Sequence, residues 1–102
     1  MIKRGAGGGH VQVTFEVDAA VHAERANLCG EFNDWSTSSH PLVRVSDGDL
    51  VCEVVLAPGK YRFRYYLGNG RWENDWNADA YVENEYGGAD SVVIVDGTYR
   101  LD

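Results

Sequence analysis

Several things are scarce in this sequence, and each shortage excludes a class of function. No stretch is long and apolar enough to cross a membrane, and no segment carries helical periodicity over a useful length. Only two cysteines, Cys29 and Cys52, occur in 102 residues, with no CxxC and no histidine at metal-ligand spacing beside them. That rules against a zinc scaffold and leaves two free, buried thiols as the simplest expectation, with a disulfide possible but not needed for the fold. Basic residues are few, nine against sixteen acidic, for a net charge of −7. Such a balance repels phosphate backbones and anionic headgroups, so neither nucleic acid nor a membrane surface is an expected partner. A neutral polymer is not repelled.

Glycine is plentiful near the start, in Gly5-Ala6-Gly7-Gly8-Gly9-His10. A phosphate-binding loop would follow a strand, open a helix and end in Gly-Lys-Ser/Thr, and none of these holds here. Residues 1–10 are therefore expected to form a flexible leader, and 11–102 a single domain. Met1-Ile2-Lys3-Arg4 begins like a signal peptide but lacks the apolar stretch after it, so a cytoplasmic location is expected.

What remains is strand pattern. Val11, Val13, Phe15 and Val17 alternate with polar residues, and Tyr61, Phe63, Tyr65 and Leu67 alternate with Lys60, Arg62, Arg64 and Tyr66. Between them, 26–32, 41–45 and 50–56 read as strands separated by Asn33-Asp34, Asp47-Gly48 and Pro58-Gly59. Gly68-Asn69-Gly70 turns the chain into Arg71-Trp72-Glu73, an irregular polar stretch covers 74–90, and 91–95 closes the fold. Six to eight short strands without helices predict an all-β, antiparallel β-sandwich, although the cysteine and tryptophan spacing of antibody domains is absent. Ala19–Glu24 is too short to be more than a helical turn. An exposed edge strand leaves the expected state as a monomer or weak dimer.

The chemistry-bearing residues are sparse as well. Asp75-x-Asn77-x-Asp79 opens like a calcium loop, but Ala80 stands where glycine is needed and Tyr86 where the closing glutamate should be, so no metal is expected. His10, His22 and His40 have no nucleophile beside them, and a sandwich of this size has no deep cleft for paired catalytic carboxylates. No catalysis and no cofactor are expected. Trp35 and Trp72 sit at turns among polar neighbours, where an aromatic ring can meet the C–H face of a sugar. Trp76 reads as packing for the long loop.

Taken in order, Gly30-Glu31-Phe32-Asn33-Asp34-Trp35, Pro58-Gly59-Lys60-Tyr61 and Gly70-Arg71-Trp72 make the sequence resemble carbohydrate-binding module family 48, the isoamylase early-set domains. That group includes the glycogen-binding domain of the AMP-activated kinase beta subunit and the N-terminal domains of branching and debranching enzymes. The resemblance runs from about Val11 to Val95. It implies an immunoglobulin-like early-set sandwich that binds α-1,4-glucan, such as glycogen, starch or maltooligosaccharide, without catalysis. It also implies that Trp35 and Trp72 stack on glucose units and that Arg64 bonds hydroxyls in place of the family lysine. Tyr86 and Asp90 fall on a loop that contributes sugar contacts in the family. The sequence departs from the family where Trp76 replaces a proline after Asp75 and where Gly88 replaces a threonine. The alternative is a protein-interaction or regulatory module of the same fold, docking on a glycogen-metabolising enzyme or kinase complex without strong sugar affinity.

Overall fold

The alternation in the sequence becomes two facing sheets in the computed structural model, which describes residues 2–7 and 10–96. One sheet has the order β1 (Ile2–Gly7), β2 (His10–Val17), β5 (Leu50–Leu56), β4 (Val43–Arg44). The other runs β3 (Asn27–Gly30), β6 (Gly59–Gly68), β9 (Ala89–Val95), β8 (Ala80–Glu83), with β7 (Arg71–Glu73) paired to the end of β6. All pairings are antiparallel among the described residues. The inward faces meet as the sequence predicts. Val11, Val13, Phe15 and Val17 from β2 pack with Leu28, Phe63, Tyr65, Leu67, Val93 and Val95 of the opposite sheet. The rings of Phe15 and Phe63 touch edge to face across the sandwich, with centroids 5.0 Å apart. Each fully buried side chain of this kind stabilises the fold by about 1.5–3 kcal/mol.

Among the described residues, seven of nine strands lie where the sequence pattern placed them, and two do not follow from it. Ile2–Gly7 was expected within a flexible leader, yet it forms β1 and pairs with β2 from Ile2↔Phe15 to Gly7↔His10. Glycine lowers strand propensity because it has no side chain to pack, but a ladder needs only backbone N–H and C=O groups, and β2 offers a free edge. Residues 1, 8 and 9 of the expected leader, and 97–102 of the expected domain, lie outside the described residues. The second addition is β8, inside the stretch read as irregular, where Ala80 and Val82 are only half-buried and too few to set a period. Among the described residues no helix is long and apolar enough to cross a membrane. The segment after β2 makes one 3-10 turn at Ala19–Val21, begun by the Asp18 side chain accepting from Ala20 N. Cys29 and Cys52 are free thiols, the first fully buried and the second partly so, and burial raises both above the usual thiol range.

The link between β7 and β8 is fastened by a buried polar network. Tyr65 donates its hydroxyl to Asp75 Oδ2 at 2.7 Å, and Asp75 Oδ1 accepts from Asn77 N at 2.8 Å. Asp75 N donates to Ser91 Oγ, whose own hydroxyl donates to Asn74 Oδ1, while Tyr81 donates to Asp75 O. Trp76, expected to pack this loop, is instead 58% exposed. The loop is held by the carboxylate next to it, because only a polar group can satisfy backbone N–H groups inside the fold.

Burial first, and then the neighbouring Asp75 charge, push the Tyr65 phenol well above the usual tyrosine range. The folded state therefore holds that proton where the unfolded chain releases it. Stability from this group is complete below about pH 10 and is lost as pH rises beyond it, by up to about 1.4 kcal/mol per pH unit. Tyr65→Phe should begin less stable yet show a shallower decline in urea midpoint between pH 9 and 11. An unchanged slope would show that Tyr65 does not carry the alkaline sensitivity.

Candidate functional site

Trp35 owes its position to a tight corner after β3. The chain leaves Gly30, makes a 3-10 turn over Glu31–Asn33 and then takes two successive left-handed residues, Asp34 at φ 54° and Trp35 at φ 58°. Such a conformation is tolerated by aspartate but is strained for a bulky side chain, so the surroundings must impose it. They do so through Asn33, which accepts from Gly30 N at 2.9 Å and donates to Leu28 O at 2.8 Å, and through Trp35 N donating to Gly30 O at 2.9 Å. Gly30 is fixed by close approach. A β-carbon there would lie 2.7 Å from the Arg62 carbonyl oxygen and 2.8 Å from the Phe32 ring. Gly30→Ala is therefore expected to destabilise the domain by about 2 kcal/mol, since a backbone carbonyl cannot step aside as a side chain can. Thermal unfolding would read this directly, and a wild-type melting temperature would refute it.

Across the sheet, Tyr66 of β6 and Trp72 of β7 are cross-strand partners, with ring centroids 4.9 Å apart. The Arg64 guanidinium carbon lies 5.6 Å from the Trp72 ring centroid, and Arg64 Nε is buried without a hydrogen-bond partner among the described residues. Cys29 is the cross-strand partner of Arg64, which puts this fully buried thiol on the same side of the sheet. Between β8 and β9, the hairpin turn at 84–88 is shaped by Asn84, whose Oδ1 accepts from Tyr86 N and Gly88 N. Tyr86 projects from it, 87% exposed. Asp90, buried in β9, accepts from Asn84 Nδ2 at 3.1 Å and faces Arg62 at 3.9 Å.

These elements enclose one open groove of about 840 Å³, and all five residues named from the sequence, Trp35, Arg64, Trp72, Tyr86 and Asp90, line it. Trp35 and Trp72 are 37% and 38% exposed, enough to present a ring while the rest of each side chain is anchored. Four further lining residues, Glu31, Arg62, Asn84 and Glu85, were not singled out from the sequence. Arg62 was legible in principle, because it shares the outward face of β6 with Arg64. Asp75, considered above as a calcium ligand, lies away from the groove and is committed to Tyr65 and Asn77.

Over residues 5–82 the chain matches the model of carbohydrate-binding module 48, the isoamylase N-terminal domain. It belongs to that family. A 1,4-alpha-glucan branching enzyme GlgB from Aquifex aeolicus (strain VF5) is 36% identical over 64 residues, 61% of this chain and 10% of the enzyme. The chain thus spans about a tenth of the length of the curated relative it matches. As a family 48 module it carries the sandwich that the sequence predicts, and the Gly30–Trp35 corner and the β6 strand both fall within the matched span. The β9 strand, with Asp90, lies beyond it.

Proposed function

We propose that this domain binds α-1,4-glucan in the groove between Trp35 and Trp72 and acts by binding, without catalysing a reaction. The observation that carries the reading is the convergence of two part-exposed tryptophans and an arginine on a single open groove. A pyranose offers an apolar C–H face and an equator of hydroxyls, so it needs a flat aromatic surface beside directed polar groups. Trp35 and Trp72 supply the surfaces. Arg64 lines the same groove and brings the donors of its guanidinium to the hydroxyl edge of the sugar. Asp90, with Asn84 and Arg62 beside it, forms the polar edge, and Tyr86 extends the aromatic surface from the hairpin tip.

The family supports a carbohydrate ligand, and the name of the matched branching enzyme supports a 1,4-linked glucan as its kind. Affinity is modest, because an open groove gives up little water and must still immobilise a flexible chain. Titration with maltoheptaose while following tryptophan fluorescence should give a saturable change, and glycogen in a native gel should retard the protein. No saturable signal together with no retardation would overturn the reading.

A further inference from the structure

The groove is lined by charge as well as by rings, and the charge is unequal. Three carboxylates, Glu31, Glu85 and Asp90, face two guanidinium groups, Arg62 and Arg64. Arg62 lies 3.9 Å from Asp90, and that pair is internally compensated. Arg64 rests against Trp72. Glu31 uses Oε1 to accept from Arg62 N at 2.7 Å, a backbone bond that leaves its charge uncancelled. Glu85 is exposed beside Tyr86 on the hairpin. Among the described residues, one guanidinium thus stands against two carboxylates without an ion pair, on a chain whose net charge is −7.

We propose that the groove selects for uncharged glucan and rejects glucosyl units bearing a phosphate ester, with Glu31 and Glu85 as the specificity-determining residues. The proposal rests on the reading of the groove as a glucan site and adds the chemical class of chain it accepts. Neutral hydroxyls lose nothing to these carboxylates and can donate to them. A phosphate monoester carries nearly two negative charges at neutral pH and meets them within a Debye length, where like charges act against the wrong ligand. Arg64 alone offsets only part of this, since its single positive charge faces the two carboxylates Glu31 and Glu85.

The test compares maltoheptaose with maltoheptaose carrying one phosphate ester, both titrated at pH 7.5 in low and in high salt. Affinity for the neutral sugar should not depend on salt. The phosphorylated sugar should bind about five- to ten-fold more weakly in low salt, and the gap should narrow as salt screens it. In Glu31→Gln/Glu85→Gln, the ratio of the two affinities should move toward one. If maltoheptaose binds and the phosphorylated sugar binds equally well or better, charge selection is wrong while the glucan reading stands. If maltoheptaose itself fails to bind, both fall.

Discussion

Trp35→Ala is expected to weaken maltoheptaose binding by about thirty-fold, equivalent to about 2 kcal/mol, the loss typical of an aromatic that anchors an interface. The size follows from how little else in the groove is apolar: apart from Trp72 and the Tyr86 hairpin tip, its lining is charged or amide. Stability should change far less than affinity. Alanine keeps a β-carbon at the same left-handed position, so the backbone strain at φ 58° is nearly the same before and after substitution. The corner is gripped by Asn33 and by the Trp35 backbone N–H, and both survive the change.

That separation of affinity from stability makes Trp35 a cleaner probe than Trp72. Truncating Trp72 also removes the ring beside Tyr66 and the surface beneath Arg64, so a loss of binding there would mix stacking with repacking of the strand end. Trp76→Ala serves as the control. It removes a tryptophan that is 58% exposed and outside the groove, and it should leave binding unchanged. Isothermal titration on the three proteins decides the matter. Equal affinities for wild type and Trp35→Ala would remove Trp35 from the site.

How much of this was legible in the residues depends on whether the deciding interaction is local. The β2 and β6 alternations fixed the core because a period of two, sustained over four apolar residues, has one reading. Asn33 was legible as a turn residue, although its double grip on Gly30 and Leu28 was not. Trp35, Arg64 and Trp72 could be named from family likeness, while their convergence required β3, β6 and β7 to be adjacent. Arg62 and Glu31 escaped notice because they meet across 31 residues of chain, Arg62 N donating to Glu31, whereas Asn84 meets Asp90 only six residues on, inside a stretch without a strand period. β1 was hidden by glycines, which silence side-chain pattern without preventing backbone pairing.

The largest loss of stability is expected from Asp75→Ala, about 3 kcal/mol, enough to lower the urea midpoint by at least about 1 M. Asp75 is 2% exposed and Tyr65 1%, so no bulk water can replace the carboxylate when it is removed. The substitution strands the buried Tyr65 hydroxyl, at about 1–3 kcal/mol for an unsatisfied buried group, and also takes the acceptor from the part-buried Asn77 N. A double-mutant cycle separates this mechanism from a simple packing defect. In Tyr65→Phe/Asp75→Ala the hydroxyl leaves with its acceptor, so the double variant should be less destabilised than the sum of the singles. Strict additivity would mean that the buried hydrogen bond is not what holds the β7–β8 link. The outcome bears on the groove as well, because the same loop joins the strand carrying Trp72 to the hairpin carrying Tyr86. If Asp75 is the fastening, the folded fraction of Asp75→Ala should also bind maltoheptaose more weakly than wild type. It would do so with every groove side chain intact, because the loss would lie in the relative placement of two walls and not in any contact to the sugar.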